Sequence, residues 1–145
     1  MRLTLHTDYA LRSLIYLAVA GEAGGTASSI AARYKISENH LRKVMQKLVA
    51  LGFVKSARGR GGGLHLARPA TDIIVGDVVR RMEESLAVVE CWAPATNTCP
   101  IISACGLKGM LIGALEAFFA VLDEQTLADI SQQEARLRRI FDLRN

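Results

Sequence analysis

Residues 28–69, SSIAARYKISENHLRKVMQKLVALGFVKSARGRGGGLHLARP, decide the fold. Ser28 stands where it would cap a short helix running to Arg33 or Tyr34, Lys35-Ile36 makes a tight turn, and Ser37 caps a second helix. Along that second helix Leu41, Val44, Met45, Leu48 and Leu51 recur on one face, and Gly52 ends it. Two helices joined by a tight turn, the second basic on its outer face, form a helix-turn-helix. Phe53 to Ala57 then reads as a short strand, Arg58-Gly59-Arg60-Gly61-Gly62-Gly63 as a basic glycine-rich tip, and Leu64 to Ala67 as a returning strand that Pro69 ends. A hairpin in that place is a wing. The expected fold class is mainly α with a small β-hairpin: a winged helix-turn-helix domain plus a long C-terminal helix.

The charge supports a nucleic-acid partner. The 145-residue chain is net +4, but between Arg33 and Arg68 nine Lys or Arg stand against one acid, Glu38. That surplus leaves the rest of the chain net negative, so the basic stretch is a local footprint for a polyanion such as double-stranded DNA. A recognition helix meets base edges through its N-terminal residues, which here are Ser37, Asn39, His40, Arg42 and Lys43. Asn pairs with adenine, and Arg or Lys with guanine or phosphate. Ser28, at the start of the preceding helix, is counted with this set. Arg58 and Arg60 at the wing tip suit a narrow minor groove. Gly62 and Gly63 are expected both to supply positive φ for the turn and to let the backbone approach phosphate.

Outside this module, Leu11, Leu14, Ile15 and Ala18 predict a helix from Thr7 to about Ala20, capped by Thr7 or Asp8 and stopped by Gly21. A short helix is expected over Val75 to Met82. A long apolar one runs from Gly106 to about Leu122 and suits either a dimer seam or packing within the chain. The polar, basic tail beyond Ser131 is expected to be loosely ordered. The organisation expected is a DNA-binding domain over 1–83, a cysteine-bearing loop over 84–105, a dimerisation helix region over 106–130 and a tail over 131–145. No apolar stretch approaches the roughly 20 residues of a membrane span, and Asp8 and Arg12 interrupt any signal-peptide core, so a cytoplasmic protein is expected.

All three cysteines fall in one segment, Cys91-x7-Cys99-x5-Cys105. An odd, clustered set does not build a disulfide framework. Thiolates favour iron–sulfur clusters, zinc or copper(I), and these gaps are wider than the C-x2-C knuckle of structural zinc sites. An iron–sulfur cluster is therefore expected, [4Fe–4S] before [2Fe–2S], with one iron of a four-iron cluster left without a cysteine. Zinc, a cysteine-oxidation switch and a redox-active thiol enzyme stay open as alternatives. Against an enzyme, no P-loop, dinucleotide fingerprint or nucleophile elbow is present, and His6, His40 and His65 are all far from the cysteines in sequence.

Six stretches together resemble the Rrf2 family of winged-helix regulators: MRLTLHTDYALR, ISENHLRKVMQKLVALGFV, RGRGGGLHLARP, IIVGDVVRRME, CPIISACGLKGML and ALEAFFAVLDEQTLADI. Within that family the chain is most similar to the branch of repressors that sense nitric oxide. The resemblance implies a homodimer crossed through the long C-terminal helix, and a cluster on Cys91, Cys99 and Cys105. It also implies that Asp8 from the partner subunit is the fourth ligand, with Arg12 pairing Asp8 when it is not on iron. Nitric oxide would then release the repressor from its operator. A branch with a histidine ligand three residues after the last cysteine is disfavoured, because Lys108 stands there. An iron-responsive branch with similar cysteine gaps is the alternative.

Overall fold

A computed structural model of the chain describes residues 2–57, 62–93 and 95–143. The expectations for Arg58 and Arg60 lie outside the described residues. Among the described residues seven α-helices and one hairpin follow in the order α1 Leu5–Ala20, α2 Ala27–Tyr34, α3 Glu38–Ala50, β1 Val54–Ala57, β2 Gly63–Leu66, α4 Val75–Met82, α5 Gly106–Asp123, α6 Leu127–Ile130 and α7 Glu134–Ile140. The strands pair antiparallel, Val54 opposite Leu66 and Ala57 opposite Gly63. This is the mainly helical, winged architecture expected.

Two helix starts differ from the sequence expectation, each for a capping reason. Helix α1 begins at Leu5 because Thr4, not Thr7 or Asp8, is its cap; the Thr4 hydroxyl accepts from the Thr7 N–H at 3.3 Å. Thr7 is fully buried, and Asp8 lies inside the first turn. Helix α2 begins at Ala27, and Thr26 rather than Ser28 caps it. Thr26 and Ser29 exchange two bonds, Ser29 N to Thr26 Oγ1 at 3.0 Å and Thr26 N to Ser29 Oγ at 2.9 Å. That reciprocal box satisfies two orphan donors at once, which a lone Ser28 cap would not. Lys35 takes the left-handed conformation (φ 54°, ψ 43°) and turns the chain into α3. Ser37 holds the cap position of α3 without a side-chain capping bond.

The core lies where α1, α2, α3, the hairpin and α4 converge. Leu14, Ile30, Leu41, Leu48, Phe53 and Ile73 are completely buried there, each contributing about 1.5–3 kcal/mol of burial. Leu64 exchanges two backbone bonds with Gly25, at 3.0 and 2.7 Å, so the stretch before α2 joins the wing's inner edge. Gly63 (φ 147°) sits against that contact, and a Cβ there would stand 2.9 Å from the Gly25 carbonyl oxygen.

The C-terminal part is ordered, where the sequence suggested a loose tail. Helix α7 folds back onto α1 and buries Phe141 between Tyr16 and Tyr34, with ring centroids 5.2 and 5.4 Å away. Arg138 donates to the Val19 carbonyl at 2.8 Å, and Arg33 pairs with Asp142 at 3.4 Å. Helix α5 is seated at its C-terminal end by Arg80, which grips Asp123 with two bonds (2.6 and 2.7 Å) and lies 4.1 Å from the Phe119 ring centre. Only Phe119 of α5 is buried; Leu107, Met110 and Val121 are more than half exposed.

Candidate DNA interface and cysteine loop

The buried stripe of α3 (Leu41, Val44, Met45, Leu48) fixes which side faces outward. Asn39, His40, Arg42 and Lys43 are all exposed on the outer side, with Ser37 exposed just before them. Arg42 is held by Glu38 one turn back, Nε to Oε1 at 2.9 Å. Ser28 is exposed near the start of α2, and Gly62 is exposed next to the wing tip. Gly63, half-buried, approaches the Gly25 carbonyl closely. Four cations of the basic stretch are engaged within the chain: Arg33 by Asp142, Arg42 by Glu38, Lys47 by the Met82 carbonyl and Arg68 by Asp77. Lys35, Lys43 and Lys55 are exposed, with no ion pair among the described residues.

The cysteine segment is organised by short polar bonds rather than by packing. Cys91 sits in a single turn of 3-10 helix, Glu90–Trp92. The Glu90 carboxylate accepts from both the N–H and the hydroxyl of Thr98, each at 2.8 Å, and closes the loop. Those two bonds hold Glu90 below the usual carboxylate range. Asn97 accepts the Cys99 N–H at 3.1 Å, and Cys105 is the cap residue of α5. All three thiols are free and half-buried. Among the described residues no three His, Cys, Asp or Glu side chains are grouped tightly enough to hold one metal ion. The donor chemistry nonetheless suits an iron–sulfur cluster. Three soft thiols share one loop, and beside Cys91 the buried Trp92 indole N–H has no acceptor, the kind of donor that a cluster sulfur accepts.

Asp8 is paired with Arg12 one turn along α1, at 2.7 Å, with a second bond from Arg12 Nε at 2.9 Å. The Tyr34 hydroxyl donates to the Arg12 carbonyl at 2.8 Å, which ties this turn of α1 to the first helix of the helix-turn-helix. Burial pushes the Tyr34 phenol well above its ordinary value, so it is a donor at any physiological pH. The pattern of the sequence did not single out Tyr34, Lys47 or Glu83. Their partners lie 22, 35 and 79 residues away, and no local spacing encodes such contacts.

Comparison with known proteins agrees with this arrangement. The family model described as "Iron-dependent Transcriptional regulator" (Rrf2) matches residues 3–133. The HTH-type transcriptional regulator NsrR of Geobacillus kaustophilus is 44% identical over 142 residues, covering 97% of each chain. NsrR of Bacillus subtilis is 44% identical over 147 residues, covering 99% of each. Among solved structures, T. potens IscR superposes with a TM-score of 0.73 at 31% identity, over 91% of this chain and 87% of that one. CymR, the global cysteine regulator of B. subtilis, gives 0.72 at 28%, over 91% and 97%. These relatives are regulators, not enzymes. With nearly its whole length matched, the chain belongs to the Rrf2 family and is a winged-helix transcriptional regulator of the NsrR type.

Proposed function

We propose that this regulator is a homodimeric repressor that holds an iron–sulfur cluster on Cys91, Cys99 and Cys105 and leaves its operator when nitric oxide reaches that cluster. The observation that carries the reading is the half-buried three-thiol loop leading directly into the exposed apolar helix α5. A loop so placed would lie at the seam of two subunits. There Asp8 of the partner subunit would supply the fourth ligand. A [4Fe–4S] cluster held there would offer nitric oxide an iron that carries no cysteine ligand; [2Fe–2S] is the lesser candidate.

The chain's own residues supply the rest. Exposed Leu107, Met110 and Val121 on α5 bury themselves against a second copy. Two recognition helices so joined enter successive major grooves, where Asn39, His40, Arg42 and Lys43 meet base edges and phosphates. Ser28, Ser37, Arg58, Arg60, Gly62 and Gly63 complete the DNA contacts. Asp8 has two competing uses, as an iron ligand or as the partner of Arg12 seen here. Because Tyr34 ties Arg12 to α2, exchanging one use for the other acts on the helix-turn-helix. Action on chromosomal DNA places the protein in the cytoplasm.

The family description, "Iron-dependent", favours a second reading in which loss of iron, not nitric oxide, is the signal. Operator titrations of anaerobically purified protein separate the two. Nitric oxide at a few molecules per cluster should abolish the shift, and a mild iron chelator alone should not. The opposite pattern supports the iron-responsive reading. Arg42→Ala should weaken specific binding by roughly 1–3 kcal/mol if Arg42 reads a base; unchanged affinity removes it from the interface.

A further inference from the structure

Where α4 ends, three parts of the chain are tied together by two adjacent residues. Glu83 is the last residue before the segment that carries the cysteines, and its own N–H closes α4 on the Val79 carbonyl at 3.0 Å. Its Oε1 accepts from both the N–H and the hydroxyl of Thr4, at 2.8 and 3.0 Å. Thr4 is the cap of α1, and its carbonyl accepts from the Asp8 N–H at 3.0 Å. One peptide earlier, the Met82 carbonyl accepts from Lys47 Nζ at 2.7 Å. Lys47 belongs to the last turn of α3, the recognition helix.

The Met82 side chain is buried in the core, while exposed Thr4 and half-buried Glu83 and Lys47 meet around it through these bonds. The N-terminal stretch passes between two cavities. One, of about 590 Å³, is lined by Leu3, Thr4, His6, Lys47, Met82 and Glu84. The other, of about 190 Å³, touches Leu3, Glu83 and Phe119. Burial alone would raise the Glu83 carboxyl, but the Thr7 and Thr4 donors and the Lys47 charge outweigh it and hold Glu83 below the usual range. The group is therefore an ionised acceptor at neutral pH.

We propose that Glu83 and Lys47 are positioning residues that pass the state of Asp8 and the cysteine loop to the recognition helix. This rests on the cluster-sensing reading above. Displacement of Asp8 moves Thr4 one turn away, Thr4 pulls on Glu83, and the Met82–Lys47 bond next to it carries the shift to the end of α3. The arrangement is a two-ended link, so cutting either end should uncouple the cluster from DNA binding without removing the cluster.

The test compares operator affinity of the cluster-loaded and cluster-free full chain, with the visible spectrum recorded for each loaded sample. Wild type should show a loaded-to-cleared ratio of roughly 5–150-fold, the usual size of an allosteric coupling. In Glu83→Ala and Lys47→Met the spectrum should be retained while the ratio falls to about 2-fold or less. Glu83→Gln keeps the acceptor oxygen for Thr4 and should keep the wild-type ratio. If Glu83→Ala fails to fold, Lys47→Met, which retains the apolar stem, decides. A wild-type ratio in Lys47→Met overturns the proposal. So does an equal loss of both affinities, because that marks Lys47 as a phosphate contact only. A wild-type protein with no cluster, or with equal affinities, instead overturns the cluster-sensing reading and takes this link with it.

Discussion

In the proposed mechanism sensing turns on Asp8, whose partner in this structure is Arg12 at 2.7 Å. Exposed i,i+4 pairs of this kind contribute about 0.3–0.5 kcal/mol. So weak a pair gives way to a metal–carboxylate bond without a large penalty, which is what an exchangeable ligand needs. Asp8→Ala should still take up the cluster on three thiolates but react with nitric oxide at a different rate. The measurement is stopped-flow absorbance, with emission of Trp92, the only tryptophan in the chain, as a second signal. Identical spectra and rates would leave Asp8 a helix residue and nothing more. The pairing with Arg12 is an i,i+4 contact on one helix face and was open to sequence reading. The Tyr34 bond to the Arg12 carbonyl was not, since it depends on how α2 crosses α1.

Among the elements, the recognition helix and hairpin were the most legible, because a 3.6-residue apolar stripe followed by period-two alternation and glycines admits few folds. The helix starts were less so. Thr4 and Thr26 win the cap positions through partners, Glu83 and Ser29, whose contribution a cap preference alone does not contain. Helix α7 was missed for a related reason. Its sequence is polar and basic, and the side chains that pack inward are Leu137 and, just beyond the helix, Phe141 and Leu143, so its order comes from tertiary contacts such as those with Tyr16 and Tyr34. Phe141→Ala should therefore cost about 3–5 kcal/mol of stability, read as a lowered midpoint in urea; a shift under 1 kcal/mol would mean that α7 is dispensable. Helix α5 makes the opposite case, apolar but exposed. Met110→Glu should leave chain stability within about 0.5 kcal/mol and halve the mass seen by sedimentation equilibrium. A dimer that survives this change would place the seam elsewhere.

At the scale of the whole molecule, a DNA-reading face, a link through α1 and α4, and a three-thiol loop follow one another within one small chain. The DNA-reading half is written in local pattern and charge. The clustering of three thiols within 15 residues is plain in the sequence, but what they hold is not written in their spacing, because no local pattern encodes a bound group or a second subunit. No described helix is long and apolar enough to cross a membrane. The central claim is that Cys91, Cys99 and Cys105 hold an iron–sulfur cluster. Iron, acid-labile sulfide and zinc determined on anaerobically purified protein test it most directly. The expected result is a brown protein with about four iron and four sulfide per chain, lost when the three cysteines are changed to serine. A colourless protein with one zinc per chain and no sulfide would contradict it.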